Sequence, residues 1–242
     1  MVYEIAGLRI RIENQYEYTT KFCRGYLSED QQSPVDLTAR VTEEEFQAEK
    51  AISAQFSDGY IENICLYRSI CVQLPKQDRI LLHSSVLEYD GNGYAFLGRS
   101  GTGKSTHTRL WLKYVEKTRV VNGDKPILGF KDGVFTVYST PWQGKENWGC
   151  KSQVRLKGLC FLEQAKENSI RKLSSSEVTS RLFTQILIPE EEENAVATLD
   201  LADKLIATTP EYLLKCDISR EAVKLSFEQL TGLSFEEKDQ NN

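Results

Sequence analysis

The amino-acid sequence predicts an α/β protein built around a mixed β-sheet, and three observations support this fold class. Apolar residues make up 40% of the 242 residues and charged residues 27%, which is the composition of an ordinary globular domain. From residue 79 onward, short apolar runs with strand propensity alternate with segments of helical periodicity. A tight turn joins two of these runs, which makes the neighbouring strands antiparallel. The sheet is therefore not expected to be purely parallel.

The composition also disfavours several classes of protein. The net charge of -5 at pH 7 argues against a surface made for nucleic acid or an anionic membrane, because both need clustered excess Lys and Arg. No run reaches the roughly 18 consecutive apolar residues of a membrane span, and the first residues mix charged with apolar side chains, unlike a signal peptide. We therefore expect a cytoplasmic protein with no nucleic-acid or membrane partner. The six cysteines form no CxxC pair and are expected to be reduced core thiols.

We divide the chain into three parts. Residues 1–78 are predicted to form a β-rich N-terminal subdomain, residues 79–235 the core, and residues 236–242 a disordered tail. In the first part, an alternating pattern over residues 3–13 predicts short strands and turns. A helical segment follows, with Thr42 as its cap and Glu45 three residues on. Its charged side chains are expected to face solvent.

The core is predicted to begin with a β-hairpin. The apolar runs RILLHSSVLEY and YAFLG flank DGNG, which is a strong turn signal. Counting outward from this turn, we place Gly98 opposite Leu87 or Val86 on the preceding strand. His83 then lies a few residues beyond the start of the glycine-rich loop that begins at Gly98, and within reach of it.

The remaining elements follow from periodicity and capping signals. We predict a helix over residues 105–117, a short strand ending in a turn over 118–126, a second hairpin over 127–138 that turns at 131–133, and a loop over 139–149. A strand is predicted over 154–163, helices over 175–187 and 192–207, and a strand over 211–218. The last helix is predicted to be capped by Ser219 and ended by Gly232.

The stretch GRSGTGKS, which begins at Gly98, matches the phosphate-binding pattern GxxxxGK[ST]. Glycines allow successive backbone N–H groups to point at phosphate oxygens, the helix N-terminus adds its positive dipole end, and a lysine contributes a mobile ammonium. The alternative is a glycine turn that merely joins a strand to a helix. The residues expected to bind the cofactor here are Gly98, Ser100, Gly101, Thr102, Gly103, Lys104, Ser105 and Thr106.

Candidate metal and catalytic residues accompany this loop. The Ser105 hydroxyl and Asp124, which ends an apolar strand, are the predicted ligands of Mg²⁺. The alternative for Asp124 is a turn-forming residue. His83 could take a proton, or it could be a hydrogen-bonded structural residue, as we expect for His107. Lys104, Asp124 and His83 are therefore the candidate catalytic residues.

The loop over residues 139–149 carries polar groups among aromatic ones. Lys145 is a candidate cation for the phosphates, and with Asn147 it would belong to a lid over the site. A solvated loop is the alternative.

These residues together resemble a known family. LHSSVLEYDGNGYAFLGRSGTGKSTHTRLW, VVNGDKPIL, TPWQGK and LKGLCFLEQ are similar to the HPr serine kinase and phosphoenolpyruvate carboxykinase P-loop superfamily, and within it to the HPr kinase-like proteins. The specific motifs fall in residues 79–190, and the rest of the chain resembles the family more loosely. The resemblance implies a two- or three-layer α/β kinase core with a mixed sheet, and ATP and Mg²⁺ as cofactors.

The expected function is an ATP- and Mg²⁺-dependent transfer of the γ-phosphoryl group to a hydroxyl, either a serine of a peptide or protein or a small molecule. Asp124 or His83 would take the proton. The sequence leaves open whether ATP or another phosphoryl donor is used. One alternative is a nucleotide-binding regulatory or partner protein with weak hydrolysis. The family usually has two adjacent acidic residues where this chain has Gly123 and Asp124, which favours that alternative.

Other activities are disfavoured. A carboxykinase-like enzyme acting on an enol is a further alternative, although the full carboxykinase is far longer. The arginine-rich signature of the bifunctional HPr kinase/phosphorylase has no counterpart in this sequence, so action on HPr itself is not expected. No NKxD guanine-binding motif occurs, which argues against a small GTPase.

Overall fold

The structure is a computed structural model that describes residues 1–235. The predicted disordered tail, residues 236–242, lies outside the described residues. Within them the chain forms seven α-helices and twelve β-strands, and the largest sheet contains both parallel and antiparallel pairs. The expected α/β class with a mixed sheet is therefore confirmed. None of the helices in the described part of the chain is both long and apolar enough to cross a bilayer.

The N-terminal part contains a small sheet and three helices. The strands are β1 (Val2–Ile5), β2 (Leu8–Ile12) and β3 (Leu37–Ala39), with β1 antiparallel and β3 parallel to β2. The helices are α1 (Glu17–Phe22), α2 (Glu43–Ile52) and α3 (Asp58–Gln73). Thr42 and Glu45 form the predicted capping box at the start of α2.

The prediction that residues 1–78 are β-rich is wrong. The three strands have 4, 5 and 3 residues, whereas the helices have 6, 10 and 16. The longest helix, α3, is rich in Ile, Tyr and Cys, which favour strands, and its buried residues are spread around the helix rather than along one stripe. Tertiary burial therefore outweighs local propensity in this helix.

The main sheet has nine strands. They are β4 (Arg79–Leu81), β5 (Ser84–Tyr89), β6 (Asn92–Leu97), β7 (Arg119–Asn122), β8 (Ile127–Lys131), β9 (Val134–Tyr138), β10 (Gln153–Gln164), β11 (Ser169–Lys172) and β12 (Glu211–Cys216). The hydrogen-bonded order is β4-β8-β9-β10-β6-β5-β7, with β12 pairing to β10 and β11 to β12. Strand β10 is parallel to β6 and β12, and antiparallel to β9. Both predicted hairpins, β5–β6 and β8–β9, are present.

The register of the first hairpin differs from the predicted one. Ser84 pairs with Leu97 and Val86 pairs with Ala95, so Gly98 lies at the level of His83 and not opposite Leu87 or Val86. The reason is the length of the turn. Asp90 and Gly91 alone form it, both with positive φ (50° and 72°), as a two-residue hairpin turn requires. His83 is therefore beside the start of the glycine loop.

Four helices complete the core: α4 (Lys104–Tyr114), α5 (Ser175–Leu182), α6 (Glu192–Thr208) and α7 (Arg220–Thr231). Helix α5 ends earlier than predicted. The predicted ends of α7 are confirmed, since the Ser219 side chain accepts a hydrogen bond from the backbone N–H of Ala222, and Gly232 has a left-handed φ of 74°.

Alternation along the central strands gives the sheet two buried faces. Val86 and Leu97 belong to one apolar cluster, which includes residues of α5 and α6. Leu87 and Phe96 belong to another, with residues of α4 and α7. A third cluster joins the N-terminal part to Ile127 and Trp142. Four cysteines are buried, as expected of core thiols: Cys23, Cys65, Cys71 and Cys160.

Candidate functional site

A cleft of about 890 Å³ lies between the glycine loop, the turn after β7, the loop over residues 139–149 and the N-terminal helices. It contains most of the side chains that the sequence singles out. The cofactor-binding candidates that line it are Ser100, Gly101, Gly103, Lys104, Ser105, Thr106 and Lys145. The catalytic candidates His83 and Asp124 line it as well. The β-hairpin, α4, the turn after β7 and the loop over residues 139–149 thus bring together candidate residues that are up to 62 positions apart in sequence.

The glycine loop joins β6 to α4 without a side-chain cap at the start of the helix. Gly103 is the N-cap, with φ of 103°, and no side chain accepts a hydrogen bond there. The Lys104 ammonium donates to the carbonyl oxygen of Gly98 at 2.7 Å. The N-terminus of α4 and the Lys104 side chain therefore line the same cleft. A helix N-terminus beside a lysine ammonium is a geometry that binds phosphate in proteins.

Two predicted loop residues do not line the cleft. The Thr102 hydroxyl donates to the carbonyl oxygen of Arg99 at 2.9 Å, which closes the loop on itself. Gly98 has φ of 153°, and a Cβ atom at this position would lie 2.5 Å from Thr102 Oγ1. Both residues therefore shape the loop, and only the Gly98 carbonyl contacts a cleft residue.

His83 and Asp124 form a pair within the cleft. His83 Nε2 lies 3.2 Å from Asp124 Oδ1. Backbone bonds fix this approach, because the N–H of Ser84 donates to the carbonyl oxygen of Asp124 at 3.0 Å and the N–H of Leu82 donates to that of Pro126 at 3.1 Å. The turn after β7 thus runs along the start of β5. Both side chains are about one-third exposed, so they can reach a ligand.

The charges in the cleft act on one another. Burial alone would raise the pKa of Asp124, but the hydrogen bond from His83 and the charges of His83, Lys125 and Lys104 outweigh it, so the pKa is lowered. Burial lowers the pKa of Lys104, and the charge of Asp124 opposes that effect. The carboxylate is therefore ionised at neutral pH and available as a metal ligand or as the hydrogen-bond acceptor of His83.

Asn122 positions this turn, although the sequence interpretation assigns it no role. Its buried side-chain oxygen accepts hydrogen bonds from the backbone N–H groups of Asp124 and Lys125 at 2.9 and 2.8 Å. Its amide nitrogen donates to the carbonyl oxygen of Thr140 at 3.2 Å. One side chain thus joins the turn that carries Asp124 to the loop that follows β9.

The loop over residues 139–149 packs directly on that turn. The Gly123 N–H donates to the carbonyl oxygen of Trp148 at 2.8 Å. A Cβ atom at Gly123 would lie 2.7 Å from the carbonyl oxygen of Gln143, so no side chain fits there. The position at which the resembling family carries a second acidic residue is therefore filled by main chain.

The same loop also contacts α4. Arg109 pairs with Glu146 at 3.6 Å, and its guanidinium lies 5.2 Å from the centre of the Trp148 ring. Lys145 is exposed and lines the cleft, whereas Asn147 is exposed, has a positive φ of 50° and is not among the cleft-lining residues. Lys145 thus remains placed as a candidate phosphate contact, while Asn147 belongs to a tight turn.

His107 is a structural residue, as expected. It is buried, and its Nε2 lies 3.0 Å from the Ser226 hydroxyl on α7. Burial lowers its pKa to about 3, so the ring is neutral at physiological pH.

The N-terminal helices contribute an aromatic wall that the sequence interpretation missed. Tyr18 and Phe22 of α1, Tyr60 and Tyr67 of α3, and Trp142 all line the cleft. Lys125 also lines it, with its ammonium 4.5 Å from the centre of the Tyr67 ring. Nothing in the local sequence signals this wall, because it requires α1 and α3 to pack against a loop about 75 to 125 residues away in sequence.

The residues present fit Mg²⁺ held together with a nucleotide. Within residues 1–235, no group of three or more His, Cys, Asp or Glu side chains could hold a metal ion. Mg²⁺ bound to nucleotides typically takes one or two protein oxygens, and phosphate oxygens and water complete its shell. The Asp124 carboxylate and the Ser105 hydroxyl, both lining the cleft, match that requirement.

No protein-family model matches the chain, and no curated protein matches it.

Proposed function

We propose that this protein is an HPr kinase-like phosphotransferase that moves the γ-phosphoryl group of ATP to a hydroxyl group in a Mg²⁺-dependent reaction. The observation that carries the proposal is the His83–Asp124 pair, which shares one cleft with Lys104 and the glycine loop. A phosphate-binding loop alone needs no such pair. A hydroxyl acceptor needs a group that takes its proton, and the pair is placed to do this.

Each residue has a distinct task in the proposed reaction. The N–H groups at the start of α4 and the Lys104 ammonium bind and orient the phosphates. Ser105 and Asp124 would hold Mg²⁺, which when bound neutralises charge on the phosphate oxygens. Because Nε2 of His83 faces Asp124 Oδ1 at 3.2 Å, the proton of the acceptor hydroxyl would go to the other ring nitrogen, Nδ1, and Asp124 would stabilise the resulting imidazolium. Lys145, which also lines the cleft, adds a further cation.

A nucleotide-binding regulatory or partner protein is the second candidate. The observation that favours it is the lack of space for a side chain at Gly123, where a Cβ atom would lie 2.7 Å from the Gln143 carbonyl oxygen. The turn therefore offers one carboxylate, that of Asp124, and we expect it to hold Mg²⁺ less tightly than a turn with two adjacent carboxylates would. ADP formation separates the two functions, because a kinase forms ADP faster when a hydroxyl acceptor is added, and a binding protein does not.

The first test removes the phosphate-binding cation. Lys104→Ala should weaken ATP binding at least about tenfold in calorimetry, because charge-assisted bonds to the phosphates are lost. Lys131→Ala is the matched control, since Lys131 is exposed in the β8–β9 hairpin and does not line the cleft. Unchanged ATP affinity in a folded Lys104→Ala protein would remove the basis of the proposal.

The second test separates metal from phosphate. Asp124→Asn keeps the shape of the side chain and removes its charge, so ATP binding without metal should remain measurable. The tightening of ATP binding by Mg²⁺ should disappear. If parent and variant show the same Mg²⁺ dependence, Asp124 is a turn residue and not a metal ligand.

A further inference from the structure

Six aromatic rings form a continuous strip from the surface of the N-terminal part into the cleft. In order, this aromatic strip is Phe56, Tyr60, Tyr18, Phe22, Trp142 and Tyr67. Successive ring centroids are 4.6, 5.7, 5.9, 6.1 and 4.8 Å apart. All of these distances are in the range of direct aromatic contact, so the strip is one apolar surface and not a set of separate rings.

Exposure changes along the strip. Phe56 is 45% exposed, and Tyr18 and Phe22 are each 36% exposed, whereas Tyr67 and Trp142 are buried. Scattered exposed apolar residues are common, but contiguous exposed rings that lead into a polar cleft mark a ligand-binding surface. Five of the six rings, all except Phe56, line the cleft.

The inner end of the strip lies next to the proposed catalytic pair. The Lys125 ammonium is 4.5 Å from the centre of the Tyr67 ring, and Lys125 directly follows Asp124. A ligand on the strip would therefore reach the His83–Asp124 pair. The glycine loop contributes no residue to the strip, so bound phosphates and a ligand on the strip would use different residues of the cleft.

The fold holds this surface in place. Helices α1 and α3 approach so closely that a Cβ atom at Gly59 would lie 2.7 Å from Tyr18 Cβ. The Tyr18 and Tyr60 rings then meet edge to face, with an interplanar angle of 82°. A rigid aromatic surface loses little entropy when it binds a ligand, which suits it to recognition.

We propose that the aromatic strip is the acceptor subsite, and that it binds apolar side chains on either side of the acceptor hydroxyl in an extended peptide segment. This inference rests on the proposed phosphotransferase function. The length of the strip argues for a peptide, because a nucleotide base or a small alcohol covers one or two rings. Phe56, Tyr60, Tyr18 and Phe22, the four rings that are not buried, are separated by steps of 4.6, 5.7 and 5.9 Å. Several residues of an extended chain, at about 3.4 Å per residue, are needed to cover them.

The test measures peptide binding directly by calorimetry, with and without ADP. The probes are short acetylated peptides with one central serine, flanked by Phe and Leu in one set and by Glu, Lys and Ser in another. We expect the apolar set to bind more tightly. Phe22→Gln and Tyr60→Gln should each weaken its binding about fivefold to tenfold. ATP affinity should stay unchanged, and with Mg-ATP the transfer to the serine should show a raised KM with kcat retained.

Leu199→Gln on α6 is the matched control, because Leu199 is 40% exposed and lies outside the cleft. It should bind both peptide sets like the parent protein. Equal binding of the two sets, or no binding of either, would overturn the inference. So would a loss of ATP affinity in Phe22→Gln as large as its loss of peptide affinity, since the strip would then hold the base. A parent protein that prefers apolar peptides but does not bind ATP would refute the phosphotransferase proposal and not the peptide site.

Discussion

Placing an acidic residue at Gly123, as in the resembling family, should damage this protein and not improve it. A Cβ atom there would lie 2.7 Å from the Gln143 carbonyl oxygen and 3.2 Å from that of Trp148. Both are main-chain atoms, so the loop over residues 139–149 has to move. It would then lose the bond from the Gly123 N–H to the Trp148 carbonyl oxygen, now 2.8 Å. Overpacking of this kind costs about 1 to 3 kcal/mol.

The assay for Gly123→Asp is a thermal melt beside ATP calorimetry. In a chain of this size, a cost of about 1 to 3 kcal/mol lowers the Tm by roughly 2 to 12 °C. Gly25→Asp is the matched control, because Gly25 is exposed and a Cβ atom there meets nothing within 4 Å. If Gly123→Asp melts like Gly25→Asp, or binds Mg-ATP more tightly than the parent, the loop is not fixed against the turn as described.

Two further predictions concern titratable groups. His83→Gln should lower turnover at least about tenfold while ATP affinity and Tm change little, and steady-state kinetics beside a thermal melt checks this; a variant that only melts early would make His83 structural. Burial lowers the pKa of His107 to about 3, so stability should fall as the pH drops below 6.5. Burial raises the pKa of Glu211 to about 7, so the free energy of unfolding should fall as the pH rises from 4.5 towards 7. The two effects on the free energy of unfolding have opposite slopes against pH and cancel between pH 4.5 and 6.5. In Glu211→Gln only the His107 effect remains, so denaturant unfolding at a series of pH values should show a slope of up to about 1.4 kcal/mol per pH unit. A variant as flat as the parent would contradict this.

Local signals in the sequence predict much of the core but not its register. The turn residues Asp90 and Gly91 identify the hairpin, and Ser219 and Gly232 identify the ends of α7. The predicted position of Gly98 is wrong because it assumes a turn longer than the two residues Asp90 and Gly91. DGNG alone does not fix the length of the turn, whereas cross-strand packing does.

The candidate site can likewise be predicted only in part from the sequence. The motif around Lys104 and the strand end at Asp124 can be found from spacing, because the proposed chemistry needs those residue types there. The roles of Asn122 and of the aromatic strip cannot be found from spacing. Asn122 acts through its bond to Thr140, and the strip forms only when α1 packs against α3. The N-terminal part was predicted to be β-rich for a related reason. The apolar residues of α3 face several neighbours at once, so the sequence has no clear helical stripe.

The single carboxylate at the turn also has a consequence for nucleotide binding. The cleft contains Lys104, Lys125 and Lys145, while its acidic residues are Asp124 and Glu146. Glu146 is already paired with an arginine at 3.6 Å. In the proposed function, a polyanionic nucleotide would therefore meet a cationic site before any metal arrives, and its phosphates would gain favourable charge contacts without Mg²⁺. Mg²⁺ bound with the nucleotide would be held by Asp124 and Ser105, and Asp124 would supply the one carboxylate at this turn, because no side chain fits beside it at Gly123. This is why a change as small as Asp124→Asn should remove the entire metal dependence of binding.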